Sequence, residues 1–191
     1  GAEHAAKDGW VVISGSVAPG LPADFQSQIA SLVAKKGARV IIDTSSHALD
    51  RLIAHPTTPV HLLRVDQSEA AEAAGRPMTT VADSLSFAAD LVACGVAETI
   101  VTGRGAEGSI LVSNKHRFFC RPPVIKAHST IGAGDAFVGA MTLALARGDA
   151  PDQALQWGVA AAGATVKTEG TALCDLAAVQ TCFDACRTAV L

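Results

Sequence analysis

Short apolar, β-branched runs alternate with amphipathic helical patterns over the first hundred residues. The strand-like runs occupy residues 10–15, 39–43, 60–65 and 98–102, and the helical patterns occupy 23–36, 48–54, 67–74 and 81–94. Strands that are apolar on both faces are typical of parallel sheets buried under helices. The alternation therefore predicts βαβ units and a mainly parallel sheet with helices on both faces. In the helix at 23–36, the residues expected to be buried are Phe25, Ile29, Leu32 and Val33.

Polar and glycine-rich segments close or follow each predicted strand. They are Ser16, Asp43, residues 64–69 and residues 102–108. Ligands of open parallel sheets bind at the carboxyl ends of the strands. We therefore expect one binding site at this edge.

The pattern changes after Gly108. Residues 109–112 and 116–120 are strand-like and predict a hairpin, and three helical patterns follow at 132–147, 151–167 and 175–188. No internal repeat or low-complexity linker interrupts the chain. We therefore expect a single α/β domain over residues 1–191.

Composition excludes several classes of protein. The 191 residues are 49% apolar with a formal net charge of −3, which argues against disorder and against a nucleic-acid partner. The five cysteines are odd in number and form no Cys-x-x-Cys, so free thiols are expected. No signal peptide or membrane-length apolar run is present. We expect a cytoplasmic protein with no membrane partner.

The most informative motif is Ser-Thr-Ile-Gly-Ala-Gly-Asp-Ala-Phe at residues 129–137. A helix beginning near Gly132 directs backbone N–H groups outward, and its dipole favours an anion at that end. An adjacent carboxylate, Asp135, can accept a proton from a hydroxyl that attacks a bound phosphoryl group. The alternative is that Asp135 only complements the positive end of the helix dipole.

A second glycine-rich motif, Gly-x-Gly-x-x-Gly at residues 103–108, follows a predicted strand. A dinucleotide-binding site would require a helix next, to present N–H groups to pyrophosphate. Residues 109–112 instead continue as a strand. We therefore reject the dinucleotide interpretation, and the residues alone leave a plain glycine-rich hairpin turn.

Asp66 and Glu69 begin the predicted helix at 67–74 with a spacing of three residues. Two carboxylates at this spacing can face one Mg²⁺, which binds proteins through one or two carboxylates and keeps several waters. The same spacing is equally typical of a capping box, in which Asp66 caps the helix and Glu69 completes the motif. Both interpretations stay open.

Residues 129–137 are similar to the signature of the phosphofructokinase B group of ribokinase-like sugar kinases. Other segments resemble the same family, and the similarity extends over nearly the whole chain, most strongly to the minor-type bacterial 6-phosphofructokinases. These segments are Ser-Gly-Ser-Val-Ala-Pro-Gly at 14–20, Ile-Asp-Thr-Ser at 42–45, Gly-Val-Ala-Ala at 158–161 and Gly-Thr at 170–171.

The resemblance implies a three-layer ribokinase-like α/β fold. Chains of this family are usually much longer, and residues 1–8 look like the end of a helix. We therefore expect the nucleotide-binding, C-terminal half of a sugar kinase, without the small β-sheet lid. In its full-length form the resemblance implies a homodimer.

The resemblance also assigns roles to individual residues. Asp135 is the expected catalytic base, and Gly132, Ala133 and Gly134 form the anion hole with it. Ser16 is expected to contact the sugar phosphate, although a hydroxyl in a turn also bonds locally. Asp66 and Glu69 are the expected magnesium ligands. ATP contacts are expected from Arg64, Asp66, Gly103, Gly105, Gly108, Val159 and Gly163, and potassium contacts from Ser129, Ile131, Thr165, Thr168, Gly170 and Ala172.

Four positions depart from the family pattern. Arg64 stands for a lysine, Val65 for a proline, Asp66 for an asparagine, and Gly103 for a threonine or serine, so a hydroxyl contact from residue 103 to ATP is absent. Without the resemblance, Val159 would be assigned to the core.

The implied activity is ATP-dependent phosphorylation of a ketohexose phosphate. Fructose 6-phosphate is the first expectation, and 1-phosphofructokinase and tagatose-6-phosphate kinase activities are the alternatives within the class. A hypothesis of another class is an inactive nucleotide-binding fragment.

Overall fold

The structure, a computed structural model, describes residues 7–56 and 59–191. Over these ranges the chain forms seven β-strands and seven α-helices in two compact units. The first unit runs up to Gly103 and includes Ile110–His116, and the second comprises Arg104–Ser109 and Arg117–Leu191. The single domain expected over 1–191 stays a prediction. The helix end expected at residues 1–8 lies, for 1–6, outside the described residues.

The first unit is a sheet covered by helices, as the alternating pattern predicted. Its strands β1 to β4 pair in parallel, in chain order, and β5 follows β4 in the sheet order. The strands are β1 (Trp10–Ser14), β2 (Arg39–Asp43), β3 (Val60–Val65), β4 (Ala97–Gly103) and β5 (Ser109–Ser113), of which Ser109 belongs to the second unit. The helices are α1 (Phe25–Ala34), α2 (Ser46–Ala54), α3 (Gln67–Ala74) and α4 (Val81–Ala93).

Burial in the first unit differs from the prediction at two places. β2, β3 and β4 form the core, where Ile42, Leu63 and Ile100 are fully buried. β1 was expected to be buried, but Val12 is 41% exposed because β1 is the terminal strand of the order and pairs only with β2. In α1, Leu32 is 48% exposed, because the buried face of the helix is formed by Gln26, Ala30 and Val33.

The second unit contains three helices and an antiparallel strand pair. The helices are α5 (Ala133–Arg147), α6 (Pro151–Thr165) and α7 (Leu176–Ala185), and the strands are β6 (Arg117–Arg121) and β7 (Arg187–Val190). The helix expected over 175–188 was predicted too long, and β7 was missed. Cys186 has extended dihedral angles that end α7, and Thr188 then pairs with Cys120 of β6.

Two expectations from composition can be compared with the structure. All five cysteines are free thiols, and Cys120, Cys182 and Cys186 are buried. In the part of the chain that the structure describes, no helix combines the length and apolar character needed to span a bilayer.

Candidate functional site

The carboxyl edge of the first unit's sheet brings three predicted strand ends together. Asp43 ends β2, Arg64 is the penultimate residue of β3, and Gly103 ends β4. The parallel register places Asp43 beside Arg64. A β-carbon on Gly103 would lie 3.5 Å from Nη2 of Arg64, so these two residues are also neighbours. The predicted grouping of Asp43, Arg64 and Gly103 is present.

Arg64, the predicted nucleotide contact, forms an ion pair with Asp43. Its Nη1 donates to Oδ1 of Asp43 at 3.1 Å. The side chains of Arg64 and Asp43 are only 18% and 11% exposed. The second carboxylate oxygen of Asp43, Oδ2, accepts from the hydroxyl of Ser14 at 3.4 Å. The guanidinium of Arg64 is therefore held at the edge of the sheet by the carboxylate of Asp43, which in turn is held by the hydroxyl of Ser14.

Ser16, the predicted contact to the sugar phosphate, is exposed and follows a fixed turn. Gly15 adopts φ of +94°, a conformation that favours glycine. Its N–H donates to the carbonyl of Asp43, and its own carbonyl accepts from Nε2 of Gln26 at 2.7 Å and from Oγ1 of Thr44 at 3.1 Å. Sequence reasoning missed Gln26, because no motif marks it. These hydrogen bonds fix the path of the chain from the end of β1 to Ser16.

Asp66 and Glu69 form a capping box at the start of α3. The N–H of Glu69 donates to Oδ1 of Asp66 at 2.8 Å, and the N–H of Asp66 donates to Oε2 of Glu69 at 2.7 Å. The capping interpretation is therefore confirmed. This motif engages one oxygen of each carboxylate, so Asp66 Oδ2 and Glu69 Oε1 could still face a cation or its waters. The magnesium role of the pair stays a prediction.

Burial raises the pKa of Glu69 above its ordinary value of 4.5, and the nearby carboxylates of Asp66 and Asp43 act in the same direction. The hydrogen bond from the Asp66 backbone and the charge of Arg64 oppose this change. A carboxyl whose pKa rises on folding favours the folded state most while it is protonated in both states. This contribution is therefore full below pH 4.5 and is lost as the pH rises through the folded pKa.

We expect the stability of the wild type relative to Glu69→Gln to fall as the pH rises from 4 to 7. Glutamine preserves the capping geometry but does not titrate. The measurement is the free energy of unfolding by urea, for both proteins, across this pH range. Glu72→Gln, at an exposed position of the same helix, controls for the removal of a charge. A relative stability that increases with pH would contradict the assigned direction.

Gly105 and Gly108 lie in a tight turn of the second unit. Residues Gly105–Glu107 form one turn of 3-10 helix, and the N–H of Arg104 donates to the carbonyl of Gly108 at 2.8 Å. The next element is the strand β5, not an α-helix. The motif therefore lacks the helix that a dinucleotide site needs, as expected.

Two side chains next to this turn are buried. Thr102 is fully buried, and its hydroxyl has no hydrogen-bond partner within the described ranges. The Thr102 hydroxyl is therefore enclosed in the protein. It cannot replace the threonine or serine hydroxyl that is absent at residue 103. Arg104 is 2% exposed and donates through Nε and Nη2 to Oε2 of Glu107 at 3.0 and 2.9 Å. Sequence reasoning missed this pair, which spans the turn.

The start of α5 has the geometry that the signature predicted. Gly132 is the N-cap residue with φ of +76°, and no side chain caps the helix. Ser129 accepts through Oγ from the N–H of Ile131 at 3.2 Å, which shapes the preceding turn. Asp135 lies in the first turn and is exposed. Ala133 and Gly134 are partly exposed beside it. The helix therefore presents its positive end and one carboxylate outward.

The two predicted adenine contacts lie on α6 in a packed environment. Val159 is 4% exposed, as the core interpretation expects. Gly163 lies against Ile125, whose Cδ1 would be 2.9 Å from a β-carbon at that position. A larger residue at 163 would displace Ile125. The adenine role of both residues stays a prediction.

The residues predicted to hold a monovalent cation lie in the second unit, at the end of α6 and in the segments before α5 and after α6. The N–H groups of His128 and Ser129 both donate to the carbonyl of Val166, at 2.7 and 3.3 Å. The hydroxyl of Thr168 lies 2.8 Å from both the Thr165 and the Ala172 carbonyl oxygens. Gly170 falls within the segment after α6, and Ile131 is 61% exposed in the segment before α5. A cation here would share the Thr165 and Ala172 carbonyls with the Thr168 hydroxyl.

Among the described residues, no group of three or more His, Cys, Asp or Glu side chains could hold a metal ion. Within the described ranges, this finding excludes a metal site built from three or more such side chains. It leaves the kind of Mg²⁺ site that takes one or two carboxylates and completes its shell with water and phosphate.

Comparison with known proteins gives consistent matches. The chain is 35% identical over 165 residues to ATP-dependent 6-phosphofructokinase isozyme 2 of Escherichia coli, covering 86% of this chain and 53% of that protein. It is 34% identical over 136 residues to 1-phosphofructokinase of Xanthomonas campestris pv. campestris, covering 71% of this chain and 42% of that protein. The chain thus spans about half the length of the curated relatives that it matches.

The fold agrees with solved structures. The crystal structure of phosphofructokinase-2 from Escherichia coli in complex with potassium superposes with a TM-score of 0.89 at 32% sequence identity, covering 96% of this chain and 59% of that one. The mixed α/β, ribokinase-like fold class is therefore confirmed. The model of the family described as pfkB family carbohydrate kinase matches residues 3–178. With the signature at residues 129–137 and the fold in agreement, the chain belongs to the pfkB family of carbohydrate kinases.

Proposed function

We propose that the chain forms the nucleotide-binding part of an ATP-dependent kinase that converts fructose 6-phosphate to fructose 1,6-bisphosphate. The observation that carries this proposal is the start of α5, where Gly132 leaves the helix without a side-chain cap and Asp135 is exposed in the first turn. An anion held at a helix N-terminus beside a carboxylate suits phosphoryl transfer. The names of the relatives support the sugar-phosphate substrate.

In this proposal, Asp135 accepts the proton of the sugar's primary hydroxyl while the hydroxyl oxygen attacks the γ-phosphorus of ATP. Backbone N–H groups of Gly132, Gly134 and Asp135 stabilise the negative charge on the transferring phosphoryl group. The N–H groups of Ile131 and Ala133 instead donate to Oγ of Ser129 and to the carbonyl of Thr130. The bond between the γ-phosphorus and the ADP oxygen breaks as the new bond forms. Positioning and charge stabilisation supply most of the catalysis, because the protein makes no covalent bond.

The remaining roles concern the nucleotide and the cations. Arg64 is a donor to nucleotide phosphates, Ser16 contacts the sugar phosphate, and Mg²⁺, when bound near Asp66 and Glu69, neutralises phosphate charge. The loops around Thr168 are the proposed monovalent-cation site. Further ATP contacts are proposed at Gly103, Gly105, Gly108, Val159 and Gly163. The full-length protein is proposed to act as a homodimer.

A panel of sugar phosphates tests the substrate. The protein is incubated with Mg·ATP and, separately, fructose 6-phosphate, fructose 1-phosphate or tagatose 6-phosphate, and ADP release is followed by a coupled assay. We expect the highest kcat/KM with fructose 6-phosphate. Preference for either other sugar would assign 1-phosphofructokinase or tagatose-6-phosphate kinase activity instead. Unphosphorylated fructose serves as the control for the need of a phosphate on the acceptor.

A second candidate function is nucleotide binding without turnover. The observation that favours it is the coverage of only 53% and 42% of the two curated relatives. Saturable binding of ATP by this chain, with no ADP released for any sugar of the panel, would establish it. Turnover of any sugar phosphate by the same chain would exclude it.

A further inference from the structure

The Arg64–Asp43 ion pair has a role that the capping box and the α5 site do not explain. The chain places a permanent positive charge at the carboxyl edge of a parallel sheet, where ligands of such sheets bind. The side chain of Arg64 is 18% exposed, so it is mostly withdrawn from water but not fully enclosed. Nη1 is engaged by Asp43, and Nη2 lies on the side of Gly103.

The side chain and the backbone of Asp43 are both fixed by hydrogen bonds, so Asp43 can hold another side chain in place. Its two carboxylate oxygens bridge two strands, since Oδ1 accepts from Arg64 of β3 and Oδ2 accepts from Ser14 of β1. Its carbonyl accepts from the N–H of Gly15 at 2.9 Å. A side chain supported on two sides can fix the geometry of the group it binds.

Without Asp43, Arg64 would have other acidic neighbours. The charges of Arg64, Asp43 and Asp66 all act on Glu69, so Arg64 lies within electrostatic range of the capping box. A guanidinium released from Asp43 would turn toward the carboxylates of the capping box, because opposite charges attract most strongly where water is partly excluded.

We propose that Asp43 is a positioning residue that holds the Arg64 guanidinium beside Gly103, in the orientation that donates to a phosphate oxygen of the bound nucleotide. This inference rests on the proposed function for its ligand, and on the geometry of the first unit for the pair itself. The planar fork of arginine suits the arrangement, because one edge can bind a carboxylate while other N–H groups donate to a phosphate.

A double-mutant cycle tests whether Asp43 acts through Arg64. Binding of Mg·ATP is measured by titration calorimetry for the wild type, Asp43→Asn, Arg64→Ala and the double variant. We expect Asp43→Asn to weaken binding about tenfold, and the double variant to bind no more weakly than Arg64→Ala. Additive losses would overturn the proposal, because they would mean that Asp43 acts independently of Arg64. Asp90→Asn, at an exposed position on α4, is the matched control.

A chemical readout separates this proposal from the proposed function. Butanedione modifies accessible guanidinium groups, and the rate at Arg64 is followed by peptide mass spectrometry. We expect Asp43→Asn to increase this rate several-fold, and an unchanged rate would overturn the inference whether or not the chain binds ATP. If the wild type binds no ATP, the proposed function fails and the phosphate role of Arg64 fails with it, while the modification rate still decides whether Asp43 holds Arg64.

A second variant keeps the test decisive if Asp43→Asn does not fold, as judged by far-UV circular dichroism. Ser14→Ala removes the hydroxyl from Oδ2 but leaves both charges of the ion pair. We expect smaller changes in the same two readouts: ATP binding weakened about twofold to threefold, and a smaller increase in the rate of butanedione modification at Arg64. No change in either readout would overturn the proposal.

Discussion

Replacing Asp135 by asparagine should lower turnover of the intact enzyme by about two to four orders of magnitude while ATP binding persists. Asparagine has nearly the same shape but cannot accept the proton of the attacking hydroxyl. Asp135 is exposed in the first turn of α5, so the change creates no buried defect. The measurements are kcat with the preferred sugar phosphate and the dissociation constant of Mg·ATP.

The competing explanation, that Asp135 only complements the helix dipole, has a matched control in the same unit. Asp152 lies in the first turn of α6, as Asp135 does in α5. Loss of a favourable charge at a helix start costs about 0.3–1 kcal/mol of stability. The dipole explanation therefore expects Asp135→Asn and Asp152→Asn to lose similar stability and to keep turnover. Near-normal turnover in Asp135→Asn would exclude Asp135 as the base.

Elements with strong local signals were predicted accurately from sequence. β2, β3 and α3 have the expected bounds, and for α3 the signals that set them are local. Asp66 caps α3 and Gly75 ends it in the left-handed conformation, with φ of +63°. Such signals act through contacts within a few residues, so the sequence alone contains them.

The elements that were wrong depend on distant partners. β1 and the buried strands have similar sequences, and the exposure of Val12 follows only from the place of β1 at the end of the sheet order. β7 is four residues long and continues the helical pattern of α7, so it becomes a strand only through its pairing with β6. Cys120 pairs with Thr188, 68 positions later in the chain, and a pairing at that distance gives no local signal in the sequence.

The candidate site divides in the same way. Strand ends, together with the resemblance to the kinase family, indicated Arg64 and Asp66 at one edge, and the signature indicated Asp135 at the start of a helix. The ion pair of Arg64 with Asp43 could not be read from either residue, because it depends on the parallel register of β2 and β3. The sequence favours the capping and the magnesium interpretations of Asp66 equally. Only the structure shows which carboxylate oxygens accept hydrogen bonds from backbone N–H groups.

The largest expected effect on stability follows from Gly108→Ala. Gly108 has φ of +117°, a conformation that residues with a β-carbon rarely adopt. A β-carbon there would overlap the carbonyl oxygen of Cys120 and lie 3.0 Å from the Cα of Arg121. Both neighbours are backbone atoms of β6, so the strand cannot yield without breaking its own pairing. We expect a loss of about 3 kcal/mol or more in the free energy of unfolding.

For a chain of this size, such a loss should lower the thermal midpoint by on the order of 10 °C. Gly139→Ala is the matched control, because Gly139 lies inside α5 and a β-carbon there would meet no atom within 4 Å. That variant should gain about 0.5–1 kcal/mol from the better helix propensity of alanine. If Gly108→Ala instead melts at the wild-type midpoint, the turn must relax without cost. The close approach of Gly108 to β6 would then not be what requires a glycine at this position.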